Sequence, residues 1–333
     1  MIKIAFFDTK EYDKKVFNEY NTKYKYKIKY FESKLNEETA PLAKDFDVVC
    51  IFVNDVVNKK TISILKKCGV QIIALRCAGY NNVDMENMVN DIKVVRVPAY
   101  SPHAVAEHTV TLLMDINRKT YRAYQRTKKY NFSLNGLLGF DIFNKTIGVI
   151  GTGKIGTVFI KIMKGFGANI LAYDMFPDKK LEKELDFKYV SLNELYSNSD
   201  IISLHCPLTK ETDKIINKES IEKMKTGVII INTSRGKLID TKSLIKKLSE
   251  GKIGGLGLDV YEDEEEFFLN DMSNSYIRDK QLSILLSMPN VVITSHQAFF
   301  TKEALDKIAS DTFSNITDII KNGSCINEVK KQI

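Results

Sequence analysis

Three residues with complementary chemistry, His296, Arg235 and Glu264, each follow an apolar stretch of this 333-residue chain. Both cationic types are scarce, since the chain has four histidines and seven arginines. Histidine passes protons near neutral pH, arginine holds a carboxylate through two parallel hydrogen bonds, and a neighbouring carboxylate stabilises a charged histidine. Together these residue types predict acid–base chemistry on an anionic substrate.

The elements that must position these residues are short apolar stretches of strand length, separated by charged amphipathic stretches. They are Ile4–Phe7, Val48–Val53, Ile72–Leu75, Val94–Val97, Thr146–Ile150, Asn169–Tyr173, Ile201–Leu204, Val228–Ile231, Gly255–Leu258 and Val291–Thr294. Strands that alternate with helices predict parallel sheets, because parallel strands need crossover connections. We therefore predict an α/β fold, with the three residues at carboxyl ends of strands in one sheet, where open sheets of this kind bind ligands.

Two interruptions of this alternation predict domain boundaries. Pro98 and Pro102 precede a helical stretch that begins near Ala104 and reaches about Lys129, and proline favours the first turn of a helix. The second interruption is Ser295–Phe300, before a last helix that begins near Lys302. If both lie side by side, residues 101–298 form one domain, and residues 1–100 and 299–333 form a second, discontinuous domain.

A glycine-rich turn follows the predicted strand Thr146–Ile150 and opens a helical stretch that ends near Phe166. Gly151 permits a tight turn, Gly153 lets the backbone approach a pyrophosphate, and Gly156 allows close packing of helix on strand. In this context the GxGxxG pattern predicts a dinucleotide site. Outside it, the same pattern is also typical of an ordinary glycine-bearing turn.

Phosphate oxygens would be bound by free N–H groups at the start of that helix, including those of Lys154 and Ile155. Asp174 ends the next predicted strand, 23 residues after Gly151. A carboxylate there accepts hydrogen bonds from the ribose hydroxyls and repels a 2′-phosphate, which favours NAD over NADP as the cofactor.

The chain resembles the D-isomer-specific 2-hydroxyacid dehydrogenases over essentially its whole length. The segments that carry the resemblance are GTGKIG at 151–156, IISLHCPLT at 201–209, INTSRG at 231–236, GLGLDVYEDEE at 255–265 and PNVVITSHQAFFTKEAL at 289–305. Within the family, PAYSPHAVAEH at 98–108 and the long acidic and aromatic loop between Glu262 and Asp279 resemble the branch that interconverts pyruvate and D-lactate.

The resemblance implies a division of catalytic labour. His296 donates a proton to the ketone oxygen while the nicotinamide delivers hydride to the carbonyl carbon. Glu264 hydrogen-bonds the other imidazole nitrogen and raises the pKa of His296, and Arg235 binds the substrate carboxylate and polarises its carbonyl. Backbone N–H groups of Ala78 and Gly79 complete a cradle for that carboxylate.

The resemblance also implies the fold and the remaining contacts. It implies a Rossmann-type cofactor domain and a flavodoxin-like substrate domain, both doubly wound parallel sheets, with a cleft between them. Tyr100 and Phe299 would close over the substrate side chain, where their bulk favours a methyl group. The further cofactor contacts are Cys206, Pro207, Thr212, Thr233, Ser234, Arg235 and Asp259. His205 is left open as either a cofactor contact or a locally bonded side chain, and a structural or interface role is favoured for His103 and His108.

Three alternatives remain. A dehydrogenase for a bulkier 2-oxo acid, such as 2-oxoisocaproate or phenylpyruvate, would differ in pocket volume around Tyr100 and Phe299. A regulator that senses NAD without turnover could share the fold, although an intact set of His296, Glu264 and Arg235 argues against it. Hydrolytic enzymes with a related cofactor domain lack support from the substrate-side residues.

Composition and charge limit the classes of molecule that the protein is expected to bind. The net charge is +7, but no nucleic-acid-binding motif accompanies it, and the Lys/Tyr-rich stretch 23–30 is typical of a solvated edge strand. No apolar stretch has membrane length and no signal peptide is recognisable, so we expect a cytoplasmic protein. Five scattered cysteines predict reduced thiols and no metal site. By analogy with the family, the helix from Ala104 to about Lys129 is expected to form a subunit contact in a homodimer or larger oligomer.

Overall fold

The computed structural model describes residues 1–330, and they form two compact units. One unit comprises Met1–Ser101 together with the segment from Phe300 onward, and the other comprises Pro102–Phe299. The first unit is therefore discontinuous in sequence. Within the described residues, no helix is both long and apolar enough to span a membrane.

The helices and strands follow one another in alternation along most of the chain. In chain order they are β1 (Lys3–Phe6), α1 (Glu11–Tyr24), β2 (Lys27–Tyr30), β3 (Val48–Ile51), α2 (Lys59–Lys67), β4 (Ile72–Leu75), β5 (Lys93–Arg96), α3 (Pro102–Arg118), α4 (Thr120–Thr127), β6 (Thr146–Ile150), α5 (Lys154–Gly165), β7 (Asn169–Tyr173), α6 (Lys179–Glu184), β8 (Lys188–Tyr189), α7 (Leu192–Asn198), β9 (Ile201–Leu204), α8 (Lys218–Lys223), β10 (Val228–Asn232), α9 (Thr241–Ser249), β11 (Ile253–Leu258), α10 (Lys280–Ser287), β12 (Val291–Ile293) and α11 (Lys302–Asn322).

The first unit is built on a parallel sheet with the strand order β2-β1-β3-β4-β5. This is the flavodoxin-like order, with its switch point between β1 and β3. Strands β3 and β4 are buried along their whole length, as expected for strands covered on both faces. Strand β2 lies at the sheet edge with alternating exposure, which confirms the predicted edge strand, although residues Lys23 and Tyr24 still belong to α1.

The second unit is built on a parallel sheet with the order β12-β11-β10-β9-β6-β7-β8. Counted from β6, this is the Rossmann order extended by one strand. Successive side chains of β10 serve opposite faces: Ile230 packs in one core cluster, and Ile229 and Ile231 pack in the other. Both faces are covered by apolar side chains, so the predicted doubly wound architecture is confirmed. The two-residue strand β8 was missed because it lacks an apolar stretch.

The single helix predicted from Ala104 to about Lys129 is wrong, since two helices occupy this region. The helix is interrupted at Lys119, which adopts a left-handed backbone conformation with φ of 51°. The Asp115 carboxylate bonds the Thr120 hydroxyl and the Tyr121 N–H, 3.1 Å away, and so starts the second helix. A side chain that caps a new helix in this way favours a break over one continuous helix. Because capping involves a single residue, the periodicity of the sequence does not reveal it.

Candidate active site

His296 and Glu264 form a direct pair in the second unit. The Nδ1 atom of His296 lies 2.7 Å from Oε1 of Glu264, and both side chains are less than one-fifth exposed. The other carboxylate oxygen, Oε2, accepts a hydrogen bond from the Tyr261 N–H at 2.8 Å. Because Glu264 occupies Nδ1, the remaining ring nitrogen of His296, Nε2, is the one available to a reacting molecule.

A left-handed backbone turn positions the histidine. His296 has φ of 49°, an uncommon value for a residue other than glycine, and its N–H donates to the Asp259 carbonyl at 2.7 Å. The turn begins just after β12 ends at Ile293. Asp259, the residue directly after the neighbouring strand β11, therefore anchors the turn, and Glu264 lies in the loop that follows Asp259.

The Asp259 carboxylate holds the loop around His296 in place. It is 1% exposed and accepts hydrogen bonds from the N–H groups of Gln297 and Ala298 and from the Thr294 hydroxyl. Its fourth neighbour is the Nε2 atom of His108, at 3.4 Å. Burial raises the pKa of this carboxyl, but the hydrogen bonds from His108, Thr294 and Ala298 outweigh it and lower the pKa below its ordinary value.

This network gives His108 a structural role, because it joins helix α3 to the loop that follows β12. Glycines in β11 make the close approach of α3 possible. A Cβ atom at Gly257 would lie 2.9 Å from the Ile116 side chain, and one at Gly255 would lie 2.5 Å from it.

His103, unlike His108, has an exposed side chain. The cofactor contact of Asp259 stays a prediction.

Arg235 lies in the turn directly after β10. The buried Asn232 side chain fixes this turn, donating to the Arg235 carbonyl at 2.8 Å and accepting from the Ser234 N–H at 3.0 Å. The guanidinium donates from Nη1 to the Ser234 carbonyl at 2.7 Å. The adjacent Gly236 touches the backbone of Tyr261 so closely that a Cβ atom would lie 2.0 Å from it. The turn that carries Arg235 is thus packed on the loop that holds Glu264.

The glycine-rich turn has the form that a bound pyrophosphate requires. Gly151 has φ of 99°, and a Cβ atom there would lie 2.6 Å from the Cys206 N atom. A Cβ atom at Gly156 would lie 2.1 Å from the Gly151 carbonyl oxygen. At Gly153, however, a Cβ atom would meet nothing within 4 Å, and no side chain caps the first turn of α5, which begins at Lys154. The residues present therefore fit a dinucleotide whose phosphates approach this open backbone.

Asp174 holds the same turn. Its Oδ2 atom accepts hydrogen bonds from the N–H and hydroxyl of Thr152, at 2.7 and 3.0 Å, and its Oδ1 atom accepts from the Phe176 N–H at 2.9 Å. A carboxylate accepts about four hydrogen bonds, so Oδ1 can also accept one from a hydroxyl donor. The Thr152 hydroxyl also meets the Tyr189 hydroxyl at 2.8 Å.

Four of the other predicted cofactor residues form hydrogen bonds within or between two loops at the sheet edge. The Ser234 hydroxyl donates to the Cys206 carbonyl at 3.0 Å, which joins the turn after β10 to the loop after β9. The Thr212 hydroxyl donates to the Pro207 carbonyl at 2.7 Å within the loop after β9. Burial raises the pKa of the Cys206 thiol to about 11, which keeps it protonated and suits an apolar wall better than a redox switch.

Two further predicted positions also bond within the unit. The Thr233 hydroxyl lies 2.9 Å from the Thr109 hydroxyl of α3. His205 places Nε2 2.8 Å from the Ser203 hydroxyl and its ring 4.9 Å from the Phe159 ring. Burial lowers the pKa of His205 to about 3, so this imidazole stays neutral. The structure therefore gives His205 local partners.

The remaining predicted substrate residues belong to separate units. Ala78 and Gly79 follow β4 in the first unit, and Tyr100 stands near the end of its first segment, all three partly buried. Phe299 is 5% exposed and ends the second unit. That residues of both units act on one substrate stays a prediction. Within residues 1–330, no group of three or more His, Cys, Asp or Glu side chains is placed to hold a metal ion.

Sequence reasoning missed Thr152 and Asn232, which position Asp174 and Arg235 respectively. Both residues stand within segments that were recognised, one inside the glycine-rich turn and one at the end of β10. A polar residue at the end of an otherwise apolar strand is a usable signal, since such a residue must bond locally once buried.

The chain is similar to a known family of dehydrogenases in both sequence and structure. Residues 110–298 match the model of the D-isomer specific 2-hydroxyacid dehydrogenase, NAD binding domain. A 2-hydroxyacid dehydrogenase homolog of Haemophilus influenzae is 52% identical over 98% of this chain and 99% of its own, and the D-lactate dehydrogenase of Escherichia coli is 48% identical over 98% of this chain and 100% of its own. The apo-structure of the Escherichia coli enzyme superposes with a TM-score of 0.90 at 47% identity, covering 98% and 100% of the two chains. The chain is an NAD-dependent oxidoreductase and belongs to the D-isomer specific 2-hydroxyacid dehydrogenase family.

Proposed function

We propose that this protein interconverts pyruvate and D-lactate with NAD as the cofactor. The observation that carries the proposal is the His296–Glu264 pair, joined through Tyr261 to the turn that bears Arg235. Support for the substrate comes from the relative named D-lactate dehydrogenase, which is 48% identical over 98% of this chain.

His296 and Arg235 perform the chemistry on the 2-oxo acid. When bound, NADH supplies the hydride that reduces the carbonyl carbon. In that direction Nε2 of His296 gives its proton to the carbonyl oxygen, which becomes the hydroxyl of lactate. Glu264 stabilises the imidazolium before this transfer through its bond to Nδ1. In the reverse direction the neutral His296 takes the hydroxyl proton.

Arg235 binds the substrate carboxylate and draws electron density from the adjacent carbonyl. Its planar guanidinium offers the two parallel N–H donors that a carboxylate accepts. The N–H groups of Ala78 and Gly79 bind the same carboxylate, and Tyr100 and Phe299 enclose the methyl group. These contacts of the first unit and of Phe299 rest on the sequence resemblance.

The carboxyl edge of the second sheet would hold the cofactor. Gly153 and the N–H groups of Lys154 and Ile155 would hold its phosphates, and Asp174 would accept a hydrogen bond from a ribose hydroxyl. The loops that carry Cys206, Pro207, Thr212, Thr233 and Ser234 would enclose the rest of the dinucleotide. Self-association through the region 104–129 stays a prediction, and the apolar side chains exposed just beyond it, Tyr130, Phe132, Leu134 and Leu138, support it.

Two glycine variants separate cofactor binding from folding. Gly153→Ala is expected to keep the wild-type melting temperature but to weaken NADH binding at least about tenfold, because the new methyl group occupies the open space at the phosphate position. Gly156→Ala is expected to lower the melting temperature as well, because its Cβ would lie 2.1 Å from the Gly151 carbonyl oxygen. Fluorescence titration with NADH and calorimetry measure the two effects. Unchanged NADH affinity in Gly153→Ala would contradict the placement of the phosphates.

The substrate is tested by NADH oxidation with pyruvate, hydroxypyruvate, phenylpyruvate and 2-oxoisocaproate, followed by chiral analysis of the product. We expect the highest kcat/KM with pyruvate and a D-configured product. A higher kcat/KM with phenylpyruvate or 2-oxoisocaproate would replace the proposal by the bulkier-substrate alternative. Binding of NADH without turnover of any 2-oxo acid would instead support the NAD-sensing regulator.

A further inference from the structure

We propose that Arg96 is a positioning residue that sets the direction of the Ala78–Gly79 peptide, so that the Gly79 N–H faces the substrate carboxylate. The inference rests on the proposed function, because it assigns a support to the carboxylate cradle of that reaction. Arg96 ends β5, beside the end of β4, and its partner in the register of the two strands is Leu75. Its partners Ala78, Tyr80, Asn315 and Asn327 all belong to the first unit.

The Arg96 side chain reaches from its own strand to the loop that follows β4. Its Nη1 atom donates to the Ala78 carbonyl at 2.8 Å, and its guanidinium lies over the Tyr80 ring, 5.0 Å from the ring centre. The backbone of Arg96 is held as well, since its carbonyl accepts from the Asn315 side chain at 2.9 Å and its N–H donates to the Asn327 carbonyl at 3.2 Å. The backbone that carries the guanidinium is therefore held by two hydrogen bonds.

Peptide planarity converts this bond into an orientation. In a trans peptide the C=O and N–H point in opposite directions. Holding the Ala78 carbonyl therefore aims the Gly79 N–H away from Arg96. The positive charge of Arg96 beside the Ala78 carbonyl also polarises this peptide, which makes the Gly79 N–H a stronger donor to an anion.

The neighbouring peptides are held by their carbonyls in the same way. The Cys77 carbonyl accepts from the Val97 N–H at 3.2 Å, and the Gly79 carbonyl accepts from the Cys77 thiol at 3.2 Å. Among residues 1–330, no protein group accepts a hydrogen bond from the N–H groups of Ala78, Gly79 or Tyr80. Three successive carbonyls are thus bound by the protein, while three successive N–H groups remain for a ligand, an arrangement that suits a carboxylate.

An arginine suits this task better than a lysine. The planar guanidinium stacks on Tyr80 while one of its N–H groups holds the Ala78 carbonyl, whereas a lysine ammonium is a flexible point charge without a stacking face. A lysine at this position is therefore expected to restore the charge but only part of the orientation.

The test compares Arg96→Met and Arg96→Lys with the wild type. Since a hydrogen bond to a charged group is lost, KM for pyruvate and the inhibition constant of oxamate, a carboxylate analogue of pyruvate, should rise about tenfold or more in Arg96→Met and about threefold in Arg96→Lys. The NADH dissociation constant should stay within about twofold of the wild type, because the cofactor residues belong to the other unit.

Lys93→Met is the matched control. Lys93 lies on the same strand and pairs with Glu328 at 2.9 Å, so this variant also removes a partly buried cation but leaves the Ala78 loop intact. It should keep the wild-type KM and oxamate affinity. Wild-type values in Arg96→Met would overturn the inference, as would a lower melting temperature in all three variants with an equal loss of pyruvate and NADH binding. A wild-type enzyme that binds oxamate but reduces no 2-oxo acid would reject the proposed reaction, and the oxamate affinities of the variants would still decide the role of Arg96.

Discussion

The His296→Gln enzyme is expected to lose about 10²–10⁴-fold in kcat for pyruvate reduction, the usual contribution of a positioned proton donor. Glutamine keeps a polar side chain next to Glu264 but has no ionisable proton to give to the carbonyl oxygen. Its NADH affinity should stay near that of the wild type, because His296 makes its described bonds to Glu264 and Asp259 and not to the glycine-rich turn. Steady-state rates and NADH fluorescence titration measure both quantities.

His103→Gln is the control for this experiment, since His103 is exposed on helix α3 of the same unit. It should retain wild-type kcat. Glu264→Gln provides a second comparison, because it removes the charge that stabilises the imidazolium while leaving His296 in place, and its loss of kcat should be smaller than that of His296→Gln. A His296→Gln enzyme with kcat within tenfold of the wild type would show that another group donates the proton.

The second large effect is expected at Arg235. Arg235→Gln should lower kcat/KM for pyruvate by about 10²–10³-fold, because truncating one partner of a buried charge pair typically costs about 2–5 kcal/mol. Loss of the guanidinium removes both the carboxylate contact and the polarisation of the carbonyl. Asn232 still holds the turn in this variant, so the fold should be retained. Initial rates over a range of pyruvate concentrations, with circular dichroism as a folding check, measure the result.

Two variants make the Arg235 result specific. Arg235→Lys keeps the charge without the planar pair of donors, and it should recover a minority of the lost kcat/KM. Arg278→Gln removes an exposed arginine of the same unit, and its kcat/KM should match that of the wild type. An equal loss in Arg278→Gln would mean that net charge, and not binding at Arg235, determines the rate.

The glycine-rich turn was predictable because every determinant is local. The apolar strand, the three glycines and the helix that follows stand in one continuous stretch, and the structure shows strand β6, a tight turn at Gly151 and helix α5 in that order. The position of Asp174 at the end of a strand was predictable for a similar reason, since Asp174 directly follows β7. Its bonds to Thr152 were not, because they depend on how two adjacent loops meet.

The helix break at Lys119 and the contact of Arg96 with Ala78 were not predictable, because both depend on contacts that local sequence patterns do not show. The stretch from Ala104 to about Lys129 was predicted as one helix, but a second helix starts at Thr120, where the Asp115 carboxylate bonds the Thr120 hydroxyl and the Tyr121 N–H. Arg96 has no sequence neighbour that suggests chemistry. Only the register of β5 on β4 brings it beside the loop that contains Ala78, 18 residues earlier in the chain.

The sequence by itself determined the α/β class and NAD as the cofactor, and it predicted the glycine-rich turn as the cofactor site and three candidate catalytic residues. It could do so because strand periodicity, glycine spacing and residue chemistry are properties of short stretches. Tertiary structure decided which atoms meet. The pairing of His296 with Glu264 depends on the left-handed turn at His296 and on the anchoring of its N–H to the strand end at Asp259. Such contacts join segments that are far apart in the chain, and their geometry is set by tertiary packing, which leaves no local pattern in sequence.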